Sequence, residues 1–99
     1  MSRPLIIRPR ADREFNRSVD LYEQRKTGLG LELREHLRTI LRAIREQPDR
    51  FPLETRTTRK ATIVKFHFDV YYRVTKDDEI LVVSIYHQSR RPGGWKGRR

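Results

Sequence analysis

The residues best suited to chemistry in this 99-residue chain are basic side chains in its C-terminal half, together with one histidine. The basic residues of this half that lie on or beside predicted strands are Arg56, Arg59, Lys60, Lys65, Arg73, Arg90 and Arg91. Clustered arginines bind phosphodiesters through charge-assisted bidentate hydrogen bonds and would stabilise a phosphorane-like transition state. Cleaving RNA also requires a proton acceptor and a proton donor that titrate near neutrality. His87 is the best-placed candidate, because it ends an apolar run and precedes Arg90 by three residues.

These residues also admit a structural interpretation. A lone histidine at the end of a strand is often a satisfied structural group, and His67, on the polar side of an alternating strand, is only a second candidate. Tyr71, Tyr72 and Tyr86 could stack on a base or donate a proton, but Tyr72 and Tyr86 also fit core positions. The chain has no cysteine, no phosphate-cradling glycine loop and no histidine spacing typical of metal ligands. We therefore expect neither a metal nor a cofactor.

The charge of the chain favours an anionic partner. There are 23 Lys and Arg residues against 13 Asp and Glu, which gives a net charge of +10. Residues 1–55 carry 12 basic and 9 acidic side chains, whereas residues 56–99 carry 11 and 4, so the second half holds +7 of the total. Such asymmetry is typical of proteins that bind a nucleic acid or a strongly acidic protein.

Length and hydropathy predict one cytoplasmic domain spanning residues 1–99. No apolar run approaches the roughly 18–20 residues that cross a bilayer, and the N-terminus lacks a signal-peptide core. We therefore expect no membrane partner. The Pro-Gly-Gly of residues 92–94 predicts the end of regular structure and a basic tail at 92–99. Trp95, in this tail, is expected to pack back onto the domain rather than to remain exposed.

Two helices are predicted in the first half of the chain, after a short strand at residues 5–8. The first helix has an apolar stripe at Ala11, Phe15, Val19 and Tyr22, and the second at Leu29, Leu33, Leu37, Ile40, Leu41 and Ile44. The glycines at 28 and 30 separate them, and Gln47-Pro48 ends the second. We interpret the arginines of the second helix, at 34, 38, 42 and 45, as its solvated face.

Strands are predicted in the second half. Apolar residues alternate with polar ones from Val64 to Val74, a strand precedes them near residues 56–63, and a tight reversal is expected near Lys65 to His67. Lys76 to Asp78 predicts a hairpin turn before the apolar strand of residues 80–86. The expected fold is α+β: a short strand and an antiparallel helical hairpin packed on a C-terminal antiparallel sheet, in the order β-α-α-β-β-β.

The order of these features resembles the RelE/ParE superfamily of bacterial toxins from type II toxin–antitoxin systems. The resemblance covers nearly the whole chain and depends on FHFDVYYRV (66–74) and ILVVSIYHQSRRPGGW (80–95). Its most specific elements are Tyr72-Arg73-Val74 and the ending His87-x-x-Arg90-x-Pro92-x-x-Trp95. The resemblance implies a small toxin that is neutralised by an antitoxin encoded beside it.

Two activities follow from the resemblance. RelE-like members are ribosome-dependent endoribonucleases that cut mRNA, and for such an enzyme the candidate catalytic residues here are His87, Arg90, Arg73 and Arg59. ParE-like members bind and poison DNA gyrase. Under either activity, the candidate residues for binding a nucleic acid or a protein partner are Arg56, Lys60, Lys65, Arg91 and Trp95. The segment after Arg91 lacks the tyrosine often found near the C-terminus of RelE-like enzymes, which favours the ParE-like activity. A non-toxic nucleic-acid-binding module is a further alternative.

Overall fold

The computed structural model describes residues 3–89, which form two helices and a four-stranded sheet. The elements are β1 (Leu5–Ile7), α1 (Pro9–Arg25), α2 (Leu29–Glu46), a short 3-10 helix (Pro48–Arg50), β2 (Arg59–Ile63), β3 (Phe68–Val74) and β4 (Ile80–His87). The strands lie in the order β1-β4-β3-β2. This arrangement confirms the predicted α+β fold. The predicted basic tail, residues 92–99, lies outside the described residues.

The helical hairpin forms where the apolar stripes predicted it. Phe15 and Val19 of α1 and Leu33 and Ile44 of α2 are buried and join the core. Between the helices, the Glu23 carboxylate accepts hydrogen bonds from the backbone N–H groups of Gly28 (2.9 Å) and Gly30 (3.0 Å). It thereby pairs two of the backbone donors that the start of a helix leaves unsatisfied.

The two glycines of the joint have different roles. Gly28 has a φ of 91°, a left-handed conformation in which a Cβ would be strained. Gly30 instead allows a close approach of the helices, because a Cβ there would lie 2.6 Å from the carbonyl oxygen of Val19. The left-handed turn therefore requires glycine at position 28, and the close contact between the helices requires it at position 30.

The sheet is mixed rather than wholly antiparallel. β2 pairs antiparallel with β3, and β3 antiparallel with β4, whereas β1 joins the far side of β4 in parallel. The reversal predicted near Lys65 to His67 is present between β2 and β3, and His67 has a left-handed φ of 61°. The predicted hairpin turn before β4 is present as well, with Asp78 at the same φ.

One face of the sheet carries the core, and among residues 3–89 no helix packs on the other face. Val70, Tyr72 and Val82 belong to the main hydrophobic cluster together with the helices, whereas Tyr71 and Val83 form a smaller cluster on the opposite face. The β3–β4 register shifts between Tyr71 and Tyr72. We call the side that packs against α1 and α2 the helix face, and the other side the open face.

Candidate functional site

Strand register separates two of the predicted basic residues that are neighbours in sequence. Arg59 pairs with Tyr72, and Lys60 pairs with Tyr71. Directly opposed residues of an antiparallel pair project on the same side of the sheet, and successive residues project on opposite sides. Since Tyr72 lies in the core, the side chain of Arg59 projects from the helix face and that of Lys60 from the open face.

Arg59 connects the strand to the loop before it. Its Nη1 donates hydrogen bonds to the carbonyl oxygens of Phe51 (2.6 Å) and Asp49 (3.3 Å). Nη2 lies 3.8 Å from a carboxylate oxygen of Asp49. The neighbouring Tyr72 hydroxyl donates to the Pro48 carbonyl at 2.6 Å in a fully buried position. These contacts tether Arg59 to the loop before β2.

His87, the leading candidate for proton transfer, lies at the end of β4 on the helix face. It pairs with Phe68, whose ring it meets edge-on with centroids 5.0 Å apart. Its Nδ1 lies 2.8 Å from the Ser89 hydroxyl. Together with Tyr22, Arg25 and other side chains of α1, it lines a pocket of about 320 Å³.

The open face carries a buried carboxylate that the sequence analysis did not select as a site residue. Asp69 is 7% exposed and accepts hydrogen bonds from the Thr62 hydroxyl (2.8 Å) and the Gln88 amide nitrogen (2.9 Å). The alternation of apolar and polar residues along residues 64–74 could have indicated this position, because it places Asp69 on the polar side of β3. A buried, hydrogen-bonded carboxylate gives this part of the face negative charge, which disfavours a bound phosphate.

Tyr71 lies beside Asp69 on the open face. Burial, reinforced by the charges of Asp69 and Glu54, raises the pKa of the Tyr71 hydroxyl to about 12. A phenol with this pKa stays protonated at neutral pH, so it is a poor general base. Lys60, on the same face, lies 3.6 Å from a carboxylate oxygen of Glu54, and Arg73 pairs across the sheet with Leu81.

The remaining predicted basic residues are dispersed. Arg56 is exposed in the loop before β2. Lys65, in the β2–β3 turn, forms an ion pair with Glu32 of α2 and lies over the Phe66 ring, 5.9 Å from its centroid. The three other candidates fall outside the described residues: Arg90, Arg91 and Trp95.

The described candidate residues do not converge on one face of the sheet. The side chains of His87 and Arg59 project from the helix face, while those of Lys60 and Tyr71 project from the open face. Between residues 3 and 89, no group of three or more His, Cys, Asp or Glu side chains could hold a metal ion. Neither described helix is long and apolar enough to cross a membrane.

Comparison with solved structures places this fold among toxins. An arginine-to-alanine double mutant of the E. coli toxin RelE in the free state is 19% identical, with a TM-score of 0.73 over 99% of this chain and 94% of that one. The chromosomal ParDE toxin–antitoxin system from P. aeruginosa is 17% identical, with a TM-score of 0.74 over 87% and 96% of the chains. The isolated E. coli RelE toxin is 20% identical, with a TM-score of 0.67 over 92% and 89%. At these identities the likeness shows the fold alone.

Sequence comparison is more specific about the family. No curated protein matches the chain. The family described as the ParE toxin of the type II toxin–antitoxin system parDE matches residues 5–92, which include all four strands and both helices. The chain therefore belongs to the ParE toxin family, within the RelE/ParE superfamily of type II toxin–antitoxin toxins.

Proposed function

We propose that this toxin acts by binding and inhibiting DNA gyrase, and that a cognate antitoxin neutralises it in the cytoplasm. The observation that carries the proposal is the separation of its candidate catalytic groups across the sheet. Cleaving RNA through attack of its 2′-hydroxyl needs a base, an acid and phosphate-binding cations around one phosphodiester. Among the described candidates, His87 and Arg59 project from the helix face. Arg73, which pairs with Leu81, projects from the open face, together with Lys60 and Tyr71.

The individual contacts support the same conclusion. Arg59 already donates to two loop carbonyls, so recruiting it to a phosphate would cost those hydrogen bonds. Asp69 would repel an anion on the open face, next to the position where Lys60 lies. A protein target such as gyrase requires shape and charge complementarity but no general base.

The proposal includes a tight, salt-sensitive complex with an acidic antitoxin. The chain carries a net charge of +10, and exposed charge pairs weaken as the ionic strength rises. We expect the affinity for the antitoxin to fall by at least tenfold between about 50 and 300 mM salt, mainly through slower association. An affinity that does not change over this range would contradict an electrostatically steered complex.

The central test compares two targets with the same toxin preparation. Purified toxin is added to gyrase with relaxed plasmid, and separately to translating ribosomes with a defined mRNA. We expect loss of supercoiling and accumulation of cleaved DNA in the first assay, and intact mRNA in the second. Codon-positioned mRNA cleavage with normal supercoiling would overturn the proposal in favour of a RelE-like endoribonuclease.

Variants at His87 make the comparison sharper. His87→Gln keeps a side chain of similar size at the Phe68 contact, whereas His87→Ala removes it. We expect both variants, once their folding is verified by thermal unfolding, to inhibit gyrase as the wild type does. A folded His87→Gln variant that loses all toxicity would show that the imidazole itself has a chemical role and would contradict the proposal.

A further inference from the structure

The open face of the sheet is more deeply buried than its described neighbours account for. Val83 and Tyr71, the small cluster on this face, are only 3% and 6% exposed. Among residues 3–89 neither helix packs here, and the hydrophobic side chains against this pair are Leu81 and Tyr86 of the same sheet. The face of an antiparallel sheet that is turned away from the core usually keeps its side chains in contact with water. This face therefore requires a further cover.

Two polar groups on the open face show what kind of cover it needs. Ser84, which pairs with Tyr71, is fully buried, and within the described part of the chain its hydroxyl has no hydrogen-bond partner. Asp69 accepts hydrogen bonds from the neutral side chains of Thr62 and Gln88, and no described Lys or Arg forms an ion pair with it. Buried hydroxyls are nearly always hydrogen-bonded, and buried carboxylates are usually paired with a cation. The cover should therefore supply an apolar side chain, a hydrogen-bonding group and a cation.

The chain leaves the sheet beside this face. Gln88, the residue after β4, donates its side-chain amide to the Asp69 carboxylate at 2.9 Å and its backbone N–H to the His67 carbonyl at 2.8 Å. Residues 90–99, which we call the C-terminal segment, follow directly. This segment contains the only tryptophan of the chain and five basic residues, with no acidic residue. It thus contains both the apolar group and the cations that the open face needs.

The C-terminal segment is long enough to reach the cluster. An extended chain spans about 3.3 Å per residue, so Trp95, six residues beyond Ser89, can lie up to about 20 Å from it. Val83 lies four residues back along β4 from His87, which is a distance of about 13 Å. The other residues outside the described range, 1 and 2, adjoin Arg3, whose side chain pairs with Asp78 in the turn that precedes β4, at the opposite end of this strand.

We propose that the C-terminal segment folds back over the open face, where Arg90 pairs with Asp69 and the indole of Trp95 covers Val83 and Tyr71. Arg90 follows Gln88 by two residues, so in an extended chain its side chain projects on the same side as the Gln88 amide that already contacts Asp69. The indole supplies a large apolar surface together with an N–H donor. This interaction does not depend on whether gyrase is the target of the toxin.

The chemistry of the open face favours this occupant over three others. A nucleic acid or an acidic protein would bring negative charge against the Asp69 carboxylate and the nearby Glu54. The same segment from a second copy has the right chemistry, but it must be recruited from solution. The chain's own segment is held beside the face by the covalent connection at Ser89, which gives it a high effective concentration.

The test uses the full-length toxin, in which Trp95 is the only tryptophan and hence a specific probe. We expect nuclear Overhauser effects between its indole protons and the Val83 methyl groups. We also expect its fluorescence to be blue-shifted relative to the urea-unfolded protein and to be quenched by acrylamide, a neutral quencher, at least about threefold less efficiently. An indole that is quenched equally in the folded and unfolded protein and shows no contact with Val83 would overturn the proposal.

A pair of matched substitutions tests the position of the indole. Val83→Ala removes two methyl groups from the proposed contact, so the quenching of Trp95 should become about twofold more efficient. Val64→Ala is the same change in the β2–β3 turn, where the side chain is 75% exposed, and it should leave the quenching unchanged. Equal effects of the two substitutions in folded protein would contradict the assigned contact. The contacts measured in the wild type test the proposal even if Val83→Ala does not fold.

A double-mutant cycle tests the proposed ion pair. The four proteins are the wild type, Asp69→Asn, Arg90→Gln and the double variant, and their unfolding equilibrium constants are measured in urea. We expect a coupling between the two positions of at least about threefold, which falls as salt is added. Asp77→Asn, in the exposed turn before β4, replaces Asp69→Asn in the control cycle and should show no coupling with Arg90→Gln. Additive effects of Asp69→Asn and Arg90→Gln would overturn the pairing.

Two further outcomes separate the chain's own segment from the other occupants. Protection of Trp95 that is independent of toxin concentration supports an intramolecular contact, whereas protection that appears only at high concentration would assign the cover to a second copy and overturn the proposal. Protection that appears only when duplex DNA is added would overturn it as well. None of these measurements uses gyrase inhibition, so the proposed function can fail while this inference stands, and the reverse.

Discussion

The two edges of the sheet differ in how far other segments cover them. The edge at β2 is covered at its first residues, because the Lys60 N–H donates to the Pro52 carbonyl at 3.0 Å and Leu53 forms a bridge with Arg59. The edge at β1 has no covering segment among residues 3–89, and Arg38, Arg42 and Arg45 of α2 lie beside it. Each edge has one arginine that donates to a backbone carbonyl, namely Arg59 and Arg45.

This difference indicates that the edge at β2 is part of the packed structure, whereas the edge at β1 is open among the described residues. An uncovered strand edge is an aggregation hazard, and proteins commonly protect such edges with a loop or with charge. The loop at β2 is fixed by buried contacts, including the Tyr72 hydroxyl bond to Pro48. Within residues 3–89 no loop covers the edge at β1, and Arg38, Arg42 and Arg45 of α2 lie beside it. The following predictions test this contrast.

The largest expected effect comes from removing the side chain that holds the covering loop. Tyr72→Ala deletes a fully buried ring, its edge-on contact with Phe51 and its hydrogen bond, so it should lower the free energy of unfolding by about 3–5 kcal/mol. Ile6→Ala, on the exposed strand at the other edge, should cost less than about 1 kcal/mol. Urea unfolding monitored by circular dichroism measures both. Similar losses for the two variants would contradict a structural difference between the edges.

The two edge arginines should differ as well, by a smaller amount. Arg59→Ala removes hydrogen bonds from a guanidinium whose side chain is 24% exposed, and it should cost about 2 kcal/mol. Arg45→Ala removes a bond at an exposed position, so it should change stability by at most about 0.5 kcal/mol. The same urea titration serves for both variants.

Hydrogen exchange adds a local readout to this pair. In Arg59→Ala the Lys60 amide should exchange faster, because the loop that covers it loses its tether. In Arg45→Ala the exchange at Lys60 should be unchanged, because Arg45 bonds to the Arg3 carbonyl at the other edge. If Arg59→Ala instead retains full stability and loses toxicity, Arg59 has a functional role that its contacts do not indicate.

The elements of the fold were predictable because their signals are local. The apolar stripe that includes Leu33 and Ile44 predicts α2 and its buried side, since a helix repeats every 3.6 residues. Alternation from Val64 to Val74 predicts β3, but the strand begins only at Phe68, because residues 64–67 form the turn. The expected reversal near Lys65 to His67 is confirmed. The parallel pairing of β1 with β4 was not predicted, because it joins residues about 75 positions apart and leaves no periodic signal.

The candidate site was less predictable because it depends on register. Arg59 and Lys60 are equally basic in the sequence, and only the pairing with Tyr72 and Tyr71 assigns them to opposite faces. His87 ends an apolar run, but its place on the helix face follows from its pairing with Phe68. The arginines of α2 were interpreted as solvated, since the position of β1 beside them depends on how the hairpin packs on the sheet.

A smaller effect than the loss of Arg59 concerns the Tyr72 hydroxyl alone, and it should depend on pH. Burial raises the pKa of Tyr72 to about 12 and, on the open face, that of Tyr71 to about 12 as well, against an ordinary value of about 10. Above about pH 10 the unfolded chain loses phenolic protons that the folded protein keeps. The stabilisation from these protonated groups is therefore complete below about pH 10 and is lost as the pH rises toward about 12.

Tyr72→Phe isolates this contribution at the covered edge. At about pH 8 the variant should be roughly 1 kcal/mol less stable than the wild type, because the Pro48 carbonyl loses its donor. As the pH rises above about 10, the wild type should lose stability faster than the variant and the difference between them should narrow, since phenylalanine does not titrate. Tyr71→Phe should reduce the same slope without removing the Pro48 bond. Parallel curves for wild type and Tyr72→Phe from about pH 8 to 11.5 would mean that the Tyr72 proton does not hold the covering loop, and the contrast between the edges would then depend on packing alone.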